Sequence, residues 1–503
     1  MTPPFQHSFA DQLEGFYAQS SPALSKEPKL IYLNKTLTDE LCLELGDDAL
    51  LGLLSGNQLP KNTNSIAQAY AGHQFGQFNP QLGDGRALIL GELEDKNGTL
   101  HDLCLKGSGR TPFSRGGDGK AALGPMLREV LIAEAMHALD IPTTRSLAVL
   151  TTGEDVYRQS IEPGAILART AASHIRIGTF QFFAARGLND KVKQLADYTI
   201  ARHYPELSEI TDPQEKYLDL LKLVCERQAK TIAKWMSVGF VHGVMNTDNM
   251  LISGETIDYG PCAFMDAYNP DTVFSSIDHA GRYAYKNQPS IAQWNLARFA
   301  ECLIPIMSSE TQQDTDSLIA LVKHELTNFE SFYQAEYLKI FSRKLGLDEN
   351  INSEARKQLV DDWLQLLESQ QADFTNAFRI LSDAIDVTPT SLSNLFKESN
   401  ALEEWLGRWR AQLKRSENNT RSIVDTMNNN NPWIIPRNHF VEEALQAAID
   451  PKGSIDLSLF RELLDALENP FEQPNFKKYP YKEALTQPAS ASFNNGFMTF
   501  CGT

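Results

Sequence analysis

The sequence predicts an α+β fold of two lobes with terminal extensions, and three observations predict it. Its 503 residues exceed what one ordinary compact core holds. Short β-type runs crowd the stretch from Gln81 to Arg169, and beyond Arg176 the apolar spacing turns helical. With 42% apolar and 22% charged residues, the composition is that of an ordinary globular protein.

Residues 1–60 mix proline, serine and short apolar runs and read as an N-terminal extension packed on the small lobe. That β-rich small lobe is expected over 61–170, a helical large lobe over 171–330, and a helical C-terminal region over 331–503. Within the small lobe, Arg86 to Leu93 and Leu100 to Lys106 form a predicted hairpin joined through Lys96-Asn-Gly98, with Asn97 and Gly98 both expected at positive φ. A helix comes next, from about Lys120 to Leu139, because Leu123, Met126, Leu127, Val130, Leu131 and Ala133 recur at helical spacing. Two further β-type runs, Ser146 to Leu150 and Gly164 to Arg169, complete an order of strands, helix and strands that resembles a kinase small lobe.

Helices are expected at Phe180 to Arg186, Lys191 to His203 and Tyr217 to Met236. The stretches Lys414 to Thr420 and Asn428 to Asn431 read as polar loops in the C-terminal region.

Bulk charge narrows the partners. A net charge of −18, with pI near 5.1, disfavours nucleic acid and anionic membranes. Six cysteines without CxxC spacing argue against a zinc ribbon or a disulfide scaffold and fit a reducing compartment. The start carries no basic n-region or apolar h-region, and no apolar run reaches membrane-span length, so a cytoplasmic location is expected.

The segment richest in chemistry is His242-Gly-Val-Met-Asn-Thr-Asp-Asn249, with Asp258-Tyr-Gly260 shortly after it. His242 and Asn249 keep the offset of the kinase catalytic loop, and Asp258-Tyr-Gly stands where that fold carries D-F-G. An amide oxygen and a carboxylate brought together by a short hairpin suit a divalent cation held against phosphates, which gives Asn249 and Asp258 metal roles. The kinase catalytic Asp position is Val244, which accepts no proton. Asp248 is the nearby carboxylate able to do that work, with a solvated or turn-capping loop Asp as the open alternative.

Upstream, Lys106 at a strand end and Glu129 in the next helix match the phosphate-orienting pair of kinases. Gly83-Asp-Gly-Arg86 would bring backbone N–H groups close to phosphate. The stretch from Lys106 to Lys120, which contains Asp118 and Gly119, joins glycines to four cations and suits a loop folded over polyphosphate; a mobile basic surface loop is the alternative. Arg169 and Arg176 flank the passage between the lobes, placed for phosphate contacts or for structural ion pairs.

These residues resemble the selenoprotein O family of kinase-like protein adenylyltransferases, over most of the chain. The resemblance rests on Tyr70-Ala-Gly-His-Gln-Phe-Gly76, Leu82-Gly-Asp-Gly-Arg86, Lys106-Gly-Ser-Gly-Arg110, Arg115-Gly-Gly-Asp-Gly119, the 242–249 and 258–261 segments, Gly281-Arg-Tyr283 and Asn287-Gln-Pro289. It implies a protein-kinase-like fold with ATP bound reversed, the α-phosphate facing the acceptor. Lys106, Glu129, Asp118, Gly119, Arg169 and Arg176 would serve the triphosphate, and Asn249 and Asp258 would hold Mg²⁺ or Mn²⁺. Asp248 would take the proton of a Ser, Thr or Tyr hydroxyl on a protein substrate. UTP with Mn²⁺, phosphoryl transfer, and a silent binding module remain the alternatives, and a monomer is expected.

Family members carry selenocysteine or cysteine third from the C-terminus, where this chain has Cys501. In some bacterial members it bridges to a cysteine beyond the D-Y-G segment, but the aligned position here is Phe274. The nearest candidate partner for Cys501 is instead Cys262, with two free thiols as the open alternative.

Overall fold

The computed structural model describes residues 5–158, 160–311, 315–416, 418–449, 454–477 and 480–500. The first third of the chain builds an eight-stranded antiparallel sheet, and the chain beyond Ala171 is mainly helical. Along the sheet the strands run Tyr17–Gln19, Ile66–Gln68, Ala87–Glu94, Leu100–Lys106, Ile161–Ala171, Arg145–Tyr157 and Lys29–Leu33, with Ala121–Ala122 paired to Ile161–Ala171. The first 60 residues thus supply the two outermost strands.

The hairpin Ala87–Glu94 with Leu100–Lys106 forms as expected, with Ala87 opposite Lys106. Its turn differs: Gly98 alone of the pair has positive φ, at 81°. The Asp95 carboxylate accepts the N–H groups of Asn97 and Thr99, both at 2.8 Å, so a side chain does the work that a second left-handed residue would have done. The strands Arg145–Tyr157 and Ile161–Ala171 run longer than the apolar runs alone suggest, since their pairing with each other continues to Tyr157 and Ile161.

The helix Leu123–Ala138 is buried along most of its length, including Arg128, Glu129 and Glu134, with His137 exposed near its end. Its six predicted apolar positions are all buried, against the sheet on one side and against Asn438–Ala448 and Ser458–Leu467 on the other. A helix sandwiched in this way shows no polar face. Further along, Pro213–Ser237 starts on an Asp212 cap that accepts the Glu215 N–H at 3.0 Å, and packs against Gln288–Thr311 and Thr315–Lys344. The helices Ile177–Ala184 and Asn189–His203 match the expected spans within a few residues.

The asparagine run is a correction. Asn428 to Asn430 end the helix Thr420–Asn430, and Asn431 is fully buried, its side-chain amide donating to Lys344 O at 2.8 Å. Side-chain amides that find backbone carbonyls nearby make such a run compatible with a helix end. Among the described residues, no helix is long and apolar enough to cross a membrane.

Candidate active site

Two two-residue strands, Phe240–Val241 and Ala263–Phe264, pair antiparallel and so bring the 242–249 loop and Asp258 together. They sit at one side of a cleft of about 760 Å³. Gly83, Gly85, Arg86, Lys106, Asp118, Gly119, Glu129, Arg169, Arg176, Asp248, Asn249 and Asp258 all line it, as does Val244.

At its centre lies a buried charge cluster. Lys106 Nζ pairs with Glu129 Oε1 and donates to Asp258 Oδ1 at 2.8 Å. Arg169 reaches the same oxygen at 2.9 Å, and Arg176 donates to Asp258 Oδ2 at 3.2 Å. Burial alone would raise the Asp258 carboxyl, but Lys106, Arg169 and Arg176 outweigh it and hold it well below the usual range. Asp258 has φ of 64°, a left-handed conformation that a non-glycine residue keeps only when its surroundings enforce it. The Nε atoms of Arg169 and Arg176 are buried without an acceptor among the described residues, which leaves donor capacity in the cluster.

Asp248 is buried, which removes the solvated-loop alternative. Its Oδ2 accepts from Gln74 Nε2 at 3.2 Å, while Oδ1 has no hydrogen-bond partner among the described residues. Burial pushes its pKa up to about 6, against the pull of Arg176. A carboxylate with one bare oxygen and raised basicity suits a proton acceptor.

The hairpin Gly72–Gln74 with Gln77–Asn79 straps this loop in place. The His73 N–H donates to Thr247 Oγ1 at 2.7 Å, and the Phe75 N–H to Asn246 Oδ1 at 3.1 Å. Tyr283 O–H donates to the same Asn246 oxygen at 2.7 Å. Asn249 Nδ2 donates to Val244 O at 3.0 Å, so Val244 orients the asparagine by its carbonyl, and no hydrogen bond from the described residues reaches the Asn249 amide oxygen.

The 106–120 loop is anchored at Thr111 and Ser114. Thr111 Oγ1 donates to Asp84 O at 2.6 Å, and Ser114 Oγ to Gly85 O. A Cβ at Gly83, where φ is 108°, would stand 2.5 Å from the Phe113 ring, so this glycine permits the loop's close approach. Asp118 is engaged by Arg158 at 2.9 and 3.0 Å, and chiefly this pairing lowers its pKa to about 2. Arg158 lines the cleft and went unread in the sequence, since nothing in a lone hairpin-tip arginine marks it. Gly72, Gln74 and Arg128 were also missed; the 70–76 motif held the signal for the first two.

Cys262 does not line the cleft; it is buried and donates to Tyr259 O at 3.4 Å. Cys501 lies outside the described residues. The tail before it runs beside the loop that carries Pro261 and Phe274: the Thr499 N–H donates to Phe274 O at 2.8 Å, and Thr499 Oγ1 to Pro261 O at 2.7 Å. No cluster of three His, Cys, Asp or Glu able to hold a metal occurs among the described residues.

Comparison with known proteins supplies the family. The family described as Protein adenylyltransferase SelO matches residues 1–468. A Protein nucleotidyltransferase YdiU of Chromobacterium violaceum is 51% identical over 97% of this chain and 99% of its own length. Another of that name, from Cereibacter sphaeroides, is 51% identical over the whole of both chains, and one from Rhizobium etli is 49% identical over 99% of this chain and 97% of its own. With its cation cluster, loop carboxylate and near-complete coverage, the chain belongs to the SelO family and is a protein nucleotidyltransferase.

Proposed function

We propose that this chain moves AMP from ATP onto Ser, Thr or Tyr hydroxyls of acceptor proteins and releases pyrophosphate, within a kinase-like two-lobed architecture that binds the nucleotide reversed. The observation that carries the reading is Asp248: a buried carboxylate with a bare Oδ1, in the same cleft as Lys106, Arg169 and Arg176, where Val244 has replaced the kinase base. The acceptor oxygen attacks the α-phosphorus, and the bond to the bridging oxygen of the leaving pyrophosphate breaks. The hydroxyl proton passes to Asp248 Oδ1. Lys106, Arg169 and Arg176 stabilise charge that builds on the leaving group, and Glu129 keeps Lys106 aimed. Gly83, Gly85, Arg86, Asp118 and Gly119 complete the nucleotide's surroundings.

The donor set fits a divalent cation: an unengaged Asn249 amide oxygen and the Asp258 carboxylate are hard oxygen ligands, and Mg²⁺ or Mn²⁺ takes few of these from protein. When bound, the ion supplies charge neutralisation between phosphate oxygens. The reading includes a cytoplasmic monomer with no nucleic-acid or membrane partner, in keeping with the net charge of −18. It also includes a redox pairing of Cys262 with Cys501, supported by the hydrogen bond from Thr499 to Pro261 O, beside Cys262. Non-reduced peptide mapping that lacks the cross-linked pair removes this element.

Mass spectrometry of acceptor proteins treated with an equimolar ATP and UTP mixture and Mn²⁺ tests the nucleotide. Adenylyl adducts on hydroxyl side chains are expected. Predominant uridylyl adducts would replace AMP by UMP in the reading.

A further inference from the structure

We propose that Arg128 is a positioning residue that clamps the backbone just after Asp258, with Thr499 of the C-terminal tail closing the clamp from the other side. The inference rests on the reading that Asn249 and Asp258 hold the metal.

Arg128 and Glu129 are neighbours on the helix Leu123–Ala138. Adjacent helical side chains diverge by about 100°, so the two serve different partners. Glu129 goes to Lys106. Arg128 goes to the metal loop: Nε donates to Gly260 O at 3.1 Å and Nη2 to Cys262 O at 2.7 Å. Its remaining arm, Nη1, pairs with Glu442 of the helix Asn438–Ala448 at 3.0 Å. The carbonyl between, Pro261 O, accepts from Thr499 Oγ1 at 2.7 Å. Three consecutive carbonyls outside any regular ladder are thereby each satisfied, two by one guanidinium and one by the tail.

The clamp has something to hold. Asp258 sits two residues before Gly260 at φ of 64°, a conformation that relaxes once its surroundings loosen. Across the segment, Gly243 lies so close that a Cβ there would stand 2.4 Å from Pro261 O. The 258–262 backbone is therefore fixed between Arg128, Thr499 and the loop that carries Asn249. This fixes the separation of the two metal ligands. A lysine cannot reproduce the planar fork that spans Gly260 O and Cys262 O while engaging Glu442.

The test compares wild type, Arg128→Met, Arg128→Lys, Thr499→Val and Glu442→Gln. Mn²⁺ binding is measured by electron paramagnetic resonance in the presence of a non-hydrolysable ATP analogue, and amide exchange is measured on the peptide spanning 258–264. Arg128→Met is expected to weaken Mn²⁺ binding by about ten-fold or more, the usual effect of removing a partner that orients a metal ligand. Amide exchange across 258–264 rises with it. Arg128→Lys recovers part of the affinity, Thr499→Val loses less than Arg128→Met, and Glu442→Gln stays near wild type. Unchanged Mn²⁺ affinity in an Arg128→Met protein that melts like wild type overturns the proposal. Should Arg128→Met fail to fold, unchanged affinity in both Arg128→Lys and Thr499→Val overturns it equally. A wild type that binds no Mn²⁺ with nucleotide present sinks the metal reading itself, which separates the two failures.

Discussion

The carboxylate of Asp248 rests against Gly72: a Cβ on residue 72 would stand 2.3 Å from Asp248 Oδ1. The contact involves the oxygen that has no hydrogen-bond partner among the described residues. Gly72 therefore makes room for the proposed proton acceptor, in a strand whose neighbours His73 and Phe75 tie the same loop.

Gly72→Ala should displace that carboxylate. Misplacement of a reacting group by about 1 Å costs on the order of 10²-fold in rate, and a loss of that size in kcat is expected. The steric strain should destabilise the fold by about 1–3 kcal/mol. Steady-state kinetics beside thermal melting checks this, and full activity in Gly72→Ala would mean that Asp248 Oδ1 is not used.

Glu129→Ala leaves Lys106 with Asp258 alone and takes from Arg169 its 3.6 Å contact. Loss of a charged hydrogen bond in a buried cluster should cost about 1.5–3 kcal/mol of stability. Affinity for ATP should fall as Lys106 swings toward Asp258, with Glu129→Gln intermediate. Calorimetric titration with an ATP analogue measures it; unchanged affinity would dissociate the pair from nucleotide binding.

Lys344 offers a pH test of the fold away from the cleft. It is buried at the end of Thr315–Lys344, near the Phe378 ring at 4.5 Å, and burial brings its pKa down to about 7. The unfolded chain keeps that proton up to about pH 10.4, so between the two values the unfolded state binds more protons and stability rises with pH. Relative to Lys344→Met, the wild type should gain stability at up to about 1.4 kcal/mol per pH unit from about pH 7.5 to 9.5. Denaturant titrations of both proteins across that range decide it, and a pH-independent difference would show that Lys344 is charged in the folded state.

Much of the site was legible because its chemistry is written in order along the chain. His242, Asn249 and Asp258 keep their offsets inside one connection, whose ends are joined by the paired strands Phe240–Val241 and Ala263–Phe264. Asp248 could be singled out because Val244 vacates the usual base position. The features that stayed hidden depend on contacts between distant segments. Gly72 reads as one glycine among 30 until the carboxylate appears beside it. Arg128 reads as a helix arginine until the Gly260 and Cys262 carbonyls arrive from 132 and 134 residues away. The Asn428 to Asn431 run misleads because polarity marks a loop only when no carbonyl stands ready to receive the amides, and here Asn430 and Asn431 both find one.

The central claim is that chemistry occurs at the α-phosphate with Asp248 as the proton acceptor. Incubating the protein with Mg²⁺ or Mn²⁺, an acceptor protein mixture and either α-labelled or γ-labelled ATP tests it most directly. The account predicts acceptor labelling from the α position only, reduced about 10²–10⁴-fold in Asp248→Asn, the range expected for loss of a general base. Labelling of acceptors from the γ position would contradict it.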